Sequence, residues 1–285
     1  MAPTGLAPQD DPAAAPGAVA RGVPTPAGPS FPPAGSPFPQ PAGSCPPADV
    51  QPGQLIAAGV SADVYALSEH HVLRRYREER DVTYELAVLR YVVAQGFPAP
   101  ASERAGSSEL RMERLHGPTL LQALAAGEVG LREGARVLAD LHRRLHAIPL
   151  PPTWGDLGPS EWAHATGGPV IVHLDLHPGN VILSEAHGPT LVDWANARTG
   201  TAALDVALTT LILAEVAADA GGAYSQAARA LLAAFLHAAE VDPAAELSNA
   251  AALRRQDPAL VDGERELVEP AVALVRTLLA LRSPR

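Results

Sequence analysis

Between Gln51 and Leu115 the chain alternates short apolar runs with turn-prone residues. LIAAG, DVYAL and HVLRRY are separated by Gly59-Val60-Ser61 and by Ser68-Glu69-His70. That rhythm predicts an antiparallel meander. The spacing then lengthens: Val82, Leu86, Leu89 and Val93 recur every three or four positions. They predict an amphipathic helix over 82–95, ended by Gly96. ELRMERL at 109–115 returns to strand character before Gly117-Pro118. Beyond it helices dominate. Leu131, Leu138, Leu141, Leu145 and Ile148 mark one long helix that Pro149 stops. PVIVHLD, VIL and TLVD read as short strands flanking turns, and alanine- and leucine-rich segments over 204–282 read as three or four helices.

The pattern divides the chain into a small β-rich lobe with one helix over 51–116 and a larger helical lobe over 117–285, without an internal repeat. Residues 1–50 are dominated by Pro, Ala and Gly. Such a segment buries too little surface to offset its ordering entropy, so a disordered tail with polyproline character is expected. A ligand for a proline-binding module is the functional alternative.

Composition narrows the classes. A length of 285 residues allows one large domain or two small lobes. Although 47% of the residues are hydrophobic, no apolar run is long enough to span a bilayer, LTTLILAEVAA being the nearest. The N-terminus lacks the basic start and leucine-rich stretch of a secretory signal. Cys45 is the single cysteine, which precludes an intrachain disulfide and makes a reducing cytoplasm the expected compartment. A net charge of −10 argues against a nucleic-acid partner. All 21 basic residues are arginine, so any mechanism that needs a lysine is excluded or altered.

Residues 173–180 read HLDLHPGN. Asn180 follows Asp175 by five positions and Asp193, at the end of TLVD, follows it by eighteen. The VIL strand and the His187-Gly188-Pro189 turn lie between, so a hairpin would bring Asn180 and Asp193 to one mouth. Two oxygen-bearing side chains there suit Mg²⁺. The kinase catalytic loop, H-R-D-x-x-x-x-N followed by a hairpin carrying a metal-binding Asp, has the same spacing. With HLDLHPGN and VDW, the chain resembles the aminoglycoside phosphotransferase family, small-molecule kinases similar in fold to protein kinases.

The resemblance implies an α+β, bilobal protein-kinase-like fold with ATP or GTP bound between the lobes and a small hydroxylated molecule as phosphoryl acceptor. By the same resemblance Asp175 orients or deprotonates the acceptor hydroxyl. Asn180 and Asp193 hold Mg²⁺, and His173 supports the loop. Asp205 either caps its own helix or braces the catalytic loop. The VLR frame selects Arg74 as the cation over the α- and β-phosphates, leaving Arg75 in solvent. Glu85 lies on the apolar face of its helix, where a carboxylate needs a cationic partner, and Arg74 would supply it. Arginine keeps the charge of the usual lysine but is bulkier and fork-shaped. Gly59, Ser61 and nearby N–H groups would cap the phosphates, although the loop is poor in glycine. The backbone of Glu113 to Leu115 falls where the family binds adenine.

Two other readings compete. His173, Asp175 and His177 alternate as a metallohydrolase strand would, but Pro178-Gly179 follow at once. His142 and His146 have i, i+4 spacing without the glutamate of a zinc protease, and read as ordinary helix histidines. A nucleotide-binding pseudokinase is favoured by the absent lysine and sparse glycines, and opposed by the intact Asp175–Asn180–Asp193 set. Asp242, Glu246, Asp257, Asp262 and Glu264 would face solvent or a cationic sugar.

Overall fold

The computed structural model describes residues 53–151, 154, 167–219, 222–257, 260 and 262–281. The tail expected over 1–50 lies outside them. Strands β1 (Leu55–Ala58), β2 (Ala62–Ala66) and β3 (His71–Tyr76) form the expected meander. With β4 (Ser102–Gly106) and β5 (Glu109–Glu113) they complete an antiparallel sheet ordered β1-β2-β3-β5-β4. Strand β3 is therefore central, with Arg74 between Val64 and Leu110.

Helix α1 (Thr83–Ala94) crosses this lobe. Val82, Leu86 and Leu89 of the predicted stripe are buried, but Val93 is only half-buried, and Val88 and Val92 complete the buried face. Gly96 at φ 78° ends it: the Gly96 and Phe97 N–H groups donate back to Val93 and Val92, the two bonds of a Schellman turn.

The second lobe opens with α2 (Leu120–Ala126), which a reciprocal Thr119–Gln122 capping box starts and left-handed Gly127 ends. Helix α3 (Leu131–His146) follows. Strand β6 (Val170–Val172) pairs with β9 (Arg198–Gly200), and β7 (Val181–Ser184) pairs with β8 (Gly188–Leu191) as a hairpin. The remaining helices are α4 (Ala202–Ala218), α5 (Ala223–Ala238), α6 (Leu247–Gln256) and α7 (Asp262–Ala280).

Helix α4 is the axis of this lobe, in contact with α5, α6 and α7 and buried almost all round. Its polar residues each have a partner. Thr209 donates to Leu176, Thr210 to Val206, Glu215 meets Arg254, and Asp205 meets the loop after β6. Among the described residues no helix is long and apolar enough to cross a membrane.

The short elements β4, β9 and α2 have no counterpart in the hydrophobic pattern. Strand β4 is a polar edge strand in which Glu103 and Arg104 are exposed. The segment after β5 crosses the β7–β8 hairpin closely. Leu183 donates to Pro118 and Glu185 to His116. At Gly117, φ is +142° and a Cβ would meet the Leu183 carbonyl oxygen at 2.1 Å. Gly117→Ala should therefore destabilise the protein by about 2 kcal/mol or more, read as a lowered denaturation midpoint.

Candidate active site between the lobes

The catalytic-loop candidate begins where β6 ends. Leu174 has φ +64°, a strained value for a branched side chain. Asp205 holds it there: Oδ1 accepts the Leu174 N–H at 2.7 Å, and both oxygens accept the His173 N–H at 3.2 Å. Asp205 also lies in the first turn of α4, but Thr201 is the residue that caps that helix. Leu174 and Leu176 are buried in the core, and between them the Asp175 carboxyl keeps a quarter of its surface exposed.

Asn180 reaches Asp175 from the following turn. Its Nδ2 donates to both the carbonyl and the Oδ2 of Asp175 at 2.9 Å, which leaves its Oδ1 as the acceptor for a cation. His177 is spent locally, its Nδ1 accepting the Gly179 N–H at 3.1 Å.

The hairpin brings Asp193 alongside. Val192 joins the two loops through its backbone: its N–H donates to Asn180, and its carbonyl accepts His173 Nε2 at 3.1 Å. Asp193 also has φ +64°. Trp194 is fully buried, donates to Leu191, and stands edge-on to both His173 and Phe97.

From the small lobe, buried Arg74 reaches across. Its NH2 group donates to Asp193 Oδ1 at 2.5 Å, and NH1 lies 3.6 Å from Glu85 Oε1. The second distance is an ion pair and not a hydrogen bond, so Glu85 Oε1 and Arg74 Nε have no hydrogen-bond partner among the described residues. Tyr76, two residues along the same face of β3, donates to Glu85 Oε2 at 2.5 Å. Glu85 is only 4% exposed, so it does not sit at a wet rim. Arg75 is on the opposite face, half-buried and paired with Glu109.

These placements set the electrostatics. Burial and the nearby Asp193 charge push Asp175 up to about 8. Burial alone would raise Asp193 too, but Arg74 outweighs it and holds the group below the usual carboxylate range. Burial would lower Arg74, and the carboxylates of Asp193 and Glu85 more than reverse that. At Glu85 burial wins over Arg74 and Tyr76, and its pKa is raised. Burial drives His173 down to about 4, hence neutral near pH 7.

Other expected residues lie apart from this cluster. Gly59 and Ser61 are in the exposed β1–β2 turn and share no hydrogen bond or ion pair with Asp175, Asn180 or Asp193. At the end of β5 the Glu113 N–H donates to Ala101, and its carboxylate takes His187 Nε2 at 2.7 Å. The Leu115 N–H makes no hydrogen bond among the described residues. Asp257 is buried against Arg254, and Asp242 caps the Ala244 N–H. Glu246 accepts from Asn249, Glu264 is exposed, and the Asp262 side chain lies outside the described residues.

The metallohydrolase arrangement is not formed. Left-handed Leu174 breaks the alternation that would align the three residues, His173 turns inward to Val192, and His177 Nε2 is 3.7 Å from Asp175. His142 and His146 are not ordinary helix histidines either: both converge on Asp205. Tyr76 and Arg254 are additions to the expected set. Arg254 is close enough for its charge to draw the Asp175 pKa down, though burial and Asp193 prevail.

The sequence matches the family model described as "Phosphotransferase enzyme family" over residues 52–168 and 157–247, well over half of the chain. This chain belongs to the phosphotransferase enzyme family. Its architecture is the bilobal, protein-kinase-like α+β fold of that family. Among solved structures, the gentamicin–APH(2")-IIa complex superposes with TM-score 0.51 at 14% identity, covering 80% of this chain and 91% of that chain. A choline/ethanolamine kinase family protein from Mesorhizobium loti gives TM-score 0.47 at 13% identity, covering 83% of this chain and 90% of that one. No curated protein matches the chain.

Two outcomes follow from the geometry of this phosphotransferase. Arg74→Met strands Glu85 in the interior and should cost about 3 kcal/mol of stability, measured by denaturant unfolding. The second concerns acid. His173 titrates near 4 when folded and at 6.5 in the reference state, so the unfolded chain takes the proton first as pH falls. Stability should decline between those values, by about 2 kcal/mol at pH 5 on this account. His173→Gln should flatten the decline in melting temperature, leaving the parts due to His177, which burial also lowers to about 4, and to His142, which burial lowers as well.

Proposed function

We propose that this phosphotransferase moves the γ-phosphoryl group of ATP or GTP to a hydroxyl of a small molecule. The observation that carries the reading is the joining of Asp175, Asn180 and Asp193 through Val192, with Arg74 reaching the same point from the other lobe. Asp175 accepts or orients the proton of the attacking hydroxyl, which forms the new P–O bond as the nucleoside diphosphate leaves. A raised pKa suits a base that must take a proton near neutrality.

Asn180 Oδ1 and Asp193, an oxygen-only donor pair, fit Mg²⁺. When bound, that ion neutralises charge developing on the phosphates. Arg74, held by Glu85, supplies a fixed cation for the α- and β-phosphates. The backbone from Glu113 to Leu115 offers groups to the base, while Gly59 and Ser61 cover the phosphates from the β1–β2 turn. Most of the rate enhancement then comes from position and charge.

A second reading, a nucleotide-binding pseudokinase, is favoured by one contact: Arg74 already holds Asp193 Oδ1 at 2.5 Å, and Mg²⁺ must compete with it. A screen of hydroxylated compounds with Mg²⁺-ATP and Mg²⁺-GTP, reading nucleoside diphosphate release, separates the two. Acceleration by an acceptor, with a loss of about 100-fold or more in Asp175→Asn, is the expected result. A nucleotide-induced rise in melting temperature without turnover for any acceptor would support the pseudokinase. If neither nucleotide shifts the melt, both readings fail.

A further inference from the structure

Asp205 faces more than the catalytic loop. Its Oδ2 lies 2.8 Å from His146 Nε2 and 3.3 Å from His142 Nδ1. The two histidines are one turn apart on α3, and one ligand-type atom from each of the three residues lies within 4.8 Å of the others. Bracing the loop requires only the hydrogen bonds of Asp205 to His173 and Leu174, so it leaves the paired histidines unexplained.

The proton on His142 can be placed. Thr209 has one hydroxyl proton and gives it to the Leu176 carbonyl at 2.6 Å, so its 2.9 Å contact with His142 Nε2 is accepted from that nitrogen. A neutral ring therefore presents a bare lone pair at Nδ1. That atom is buried, has no hydrogen-bond partner among the described residues, and points at the Asp205 carboxylate. Two electron-rich atoms in a dry interior repel each other, and a cation between them reverses the sign. The 3.3 Å between His142 Nδ1 and Asp205 Oδ2 is also the separation that such an ion sets. Bonds of about 2.0–2.1 Å in a tetrahedral zinc site place neighbouring ligand atoms about 3.3 Å apart.

We infer that His142 Nδ1, His146 Nε2 and Asp205 Oδ2 form a binding site for a divalent transition metal, Zn²⁺ by its donor set, with water as the fourth ligand. Two imidazoles and a carboxylate prefer such an ion to Mg²⁺. Thr209 is the outer partner that fixes the His142 tautomer. A cleft lined by Ala139, Arg143, Ala147, Ala239 and Glu240 leads to the histidines. Arg143 does not close it to a cation, because its guanidinium is held by Asp140 and Glu240 stands opposite in charge. On binding, His146 gives up the Nε2 proton it now shares with Asp205. Asp205 Oδ1 stays on the Leu174 N–H, so the ion ties α3 and α4 to the catalytic loop from outside the nucleotide cleft. The site stands whether or not the chain transfers phosphate.

The test uses the full chain stripped of metal and titrated with Zn²⁺ against a chromophoric chelator, with Co²⁺ as the spectroscopic probe. One equivalent of Zn²⁺ at micromolar or tighter affinity, a raised melting temperature, and tetrahedral Co²⁺ bands in the visible are expected. His142→Gln and His146→Gln keep an N–H near each Nε2, for Thr209 and Asp205, and so preserve the metal-free hydrogen bonds. They should weaken Zn²⁺ by more than the roughly 10–100-fold that losing an outer partner costs. Absence of equimolar uptake by the wild type, or only octahedral Co²⁺ bands, overturns the site. Uptake that persists unchanged in both variants, folded by their metal-free melts, overturns it as well.

Discussion

A carboxylate buried as completely as that of Asp205 needs donors at both oxygens, because leaving an ion dry and unpaired costs several kcal/mol. The fold meets that demand with the N–H groups of His173 and Leu174 and with His146 Nε2 from α3. The dependence runs both ways. The loop after β6 has no regular partner for those two N–H groups, and without the carboxylate the left-handed turn at Leu174 would lose its support. Everything downstream, including the exposure of Asp175 between two buried leucines, is fixed by this one anchor on the most buried helix of the lobe.

The link between lobes is a second constraint, and it shows what a lysine-free chain changes. A guanidinium can address two carboxylates at once with separate NH₂ groups, and Arg74 does so toward Glu85 and Asp193. A single ammonium would have to sit between them. The fork leaves Nε without a hydrogen bond and the Glu85 contact at 3.6 Å, and Tyr76 makes up the deficit on the other Glu85 oxygen. Tyr76, two positions along the strand from Arg74, thus completes the pairing of Glu85 that the guanidinium leaves unfinished.

How far these features could be read from sequence depended on whether they were local. Strand alternation turns only one of Arg74 and Arg75 inward, and the family resemblance selects Arg74; helical spacing places Glu85 on an inward face. HLDLHPGN and VDW carry their own spacing, and α1 carries its terminating glycine and all of its stripe but the last turn, where Val92 and not Val93 is buried. What escaped required distant pairing or backbone conformation. The convergence of His146 on Asp205 spans 59 positions, and neither histidine announces it. Glu113 was of interest only for its backbone, yet its carboxylate reaches His187 across 74 positions. The alternating histidines and aspartate at 173–177 suggested a metal strand because leucine gives no warning of a positive φ. Strands β4 and β9 lacked an apolar pattern, being a charged edge and a three-residue pairing.

Leu174 and Asp193 are the two non-glycine residues with positive φ among those described, and both flank the proposed reaction centre. Each such conformation costs about 1–3 kcal/mol and persists only where neighbours over-determine it. At Leu174 the neighbours are Asp205 and a buried side-chain pocket; at Asp193 they are Arg74 and the buried indole of Trp194. Val192 then connects the two strained turns through the backbone of a single residue, whose N–H donates to Asn180 and whose carbonyl accepts from His173. The strain is thus balanced by interactions present before any ligand arrives. A centre built this way holds its carboxylates and amide close together in advance, and the entropy of arranging them is not charged to the binding of substrate.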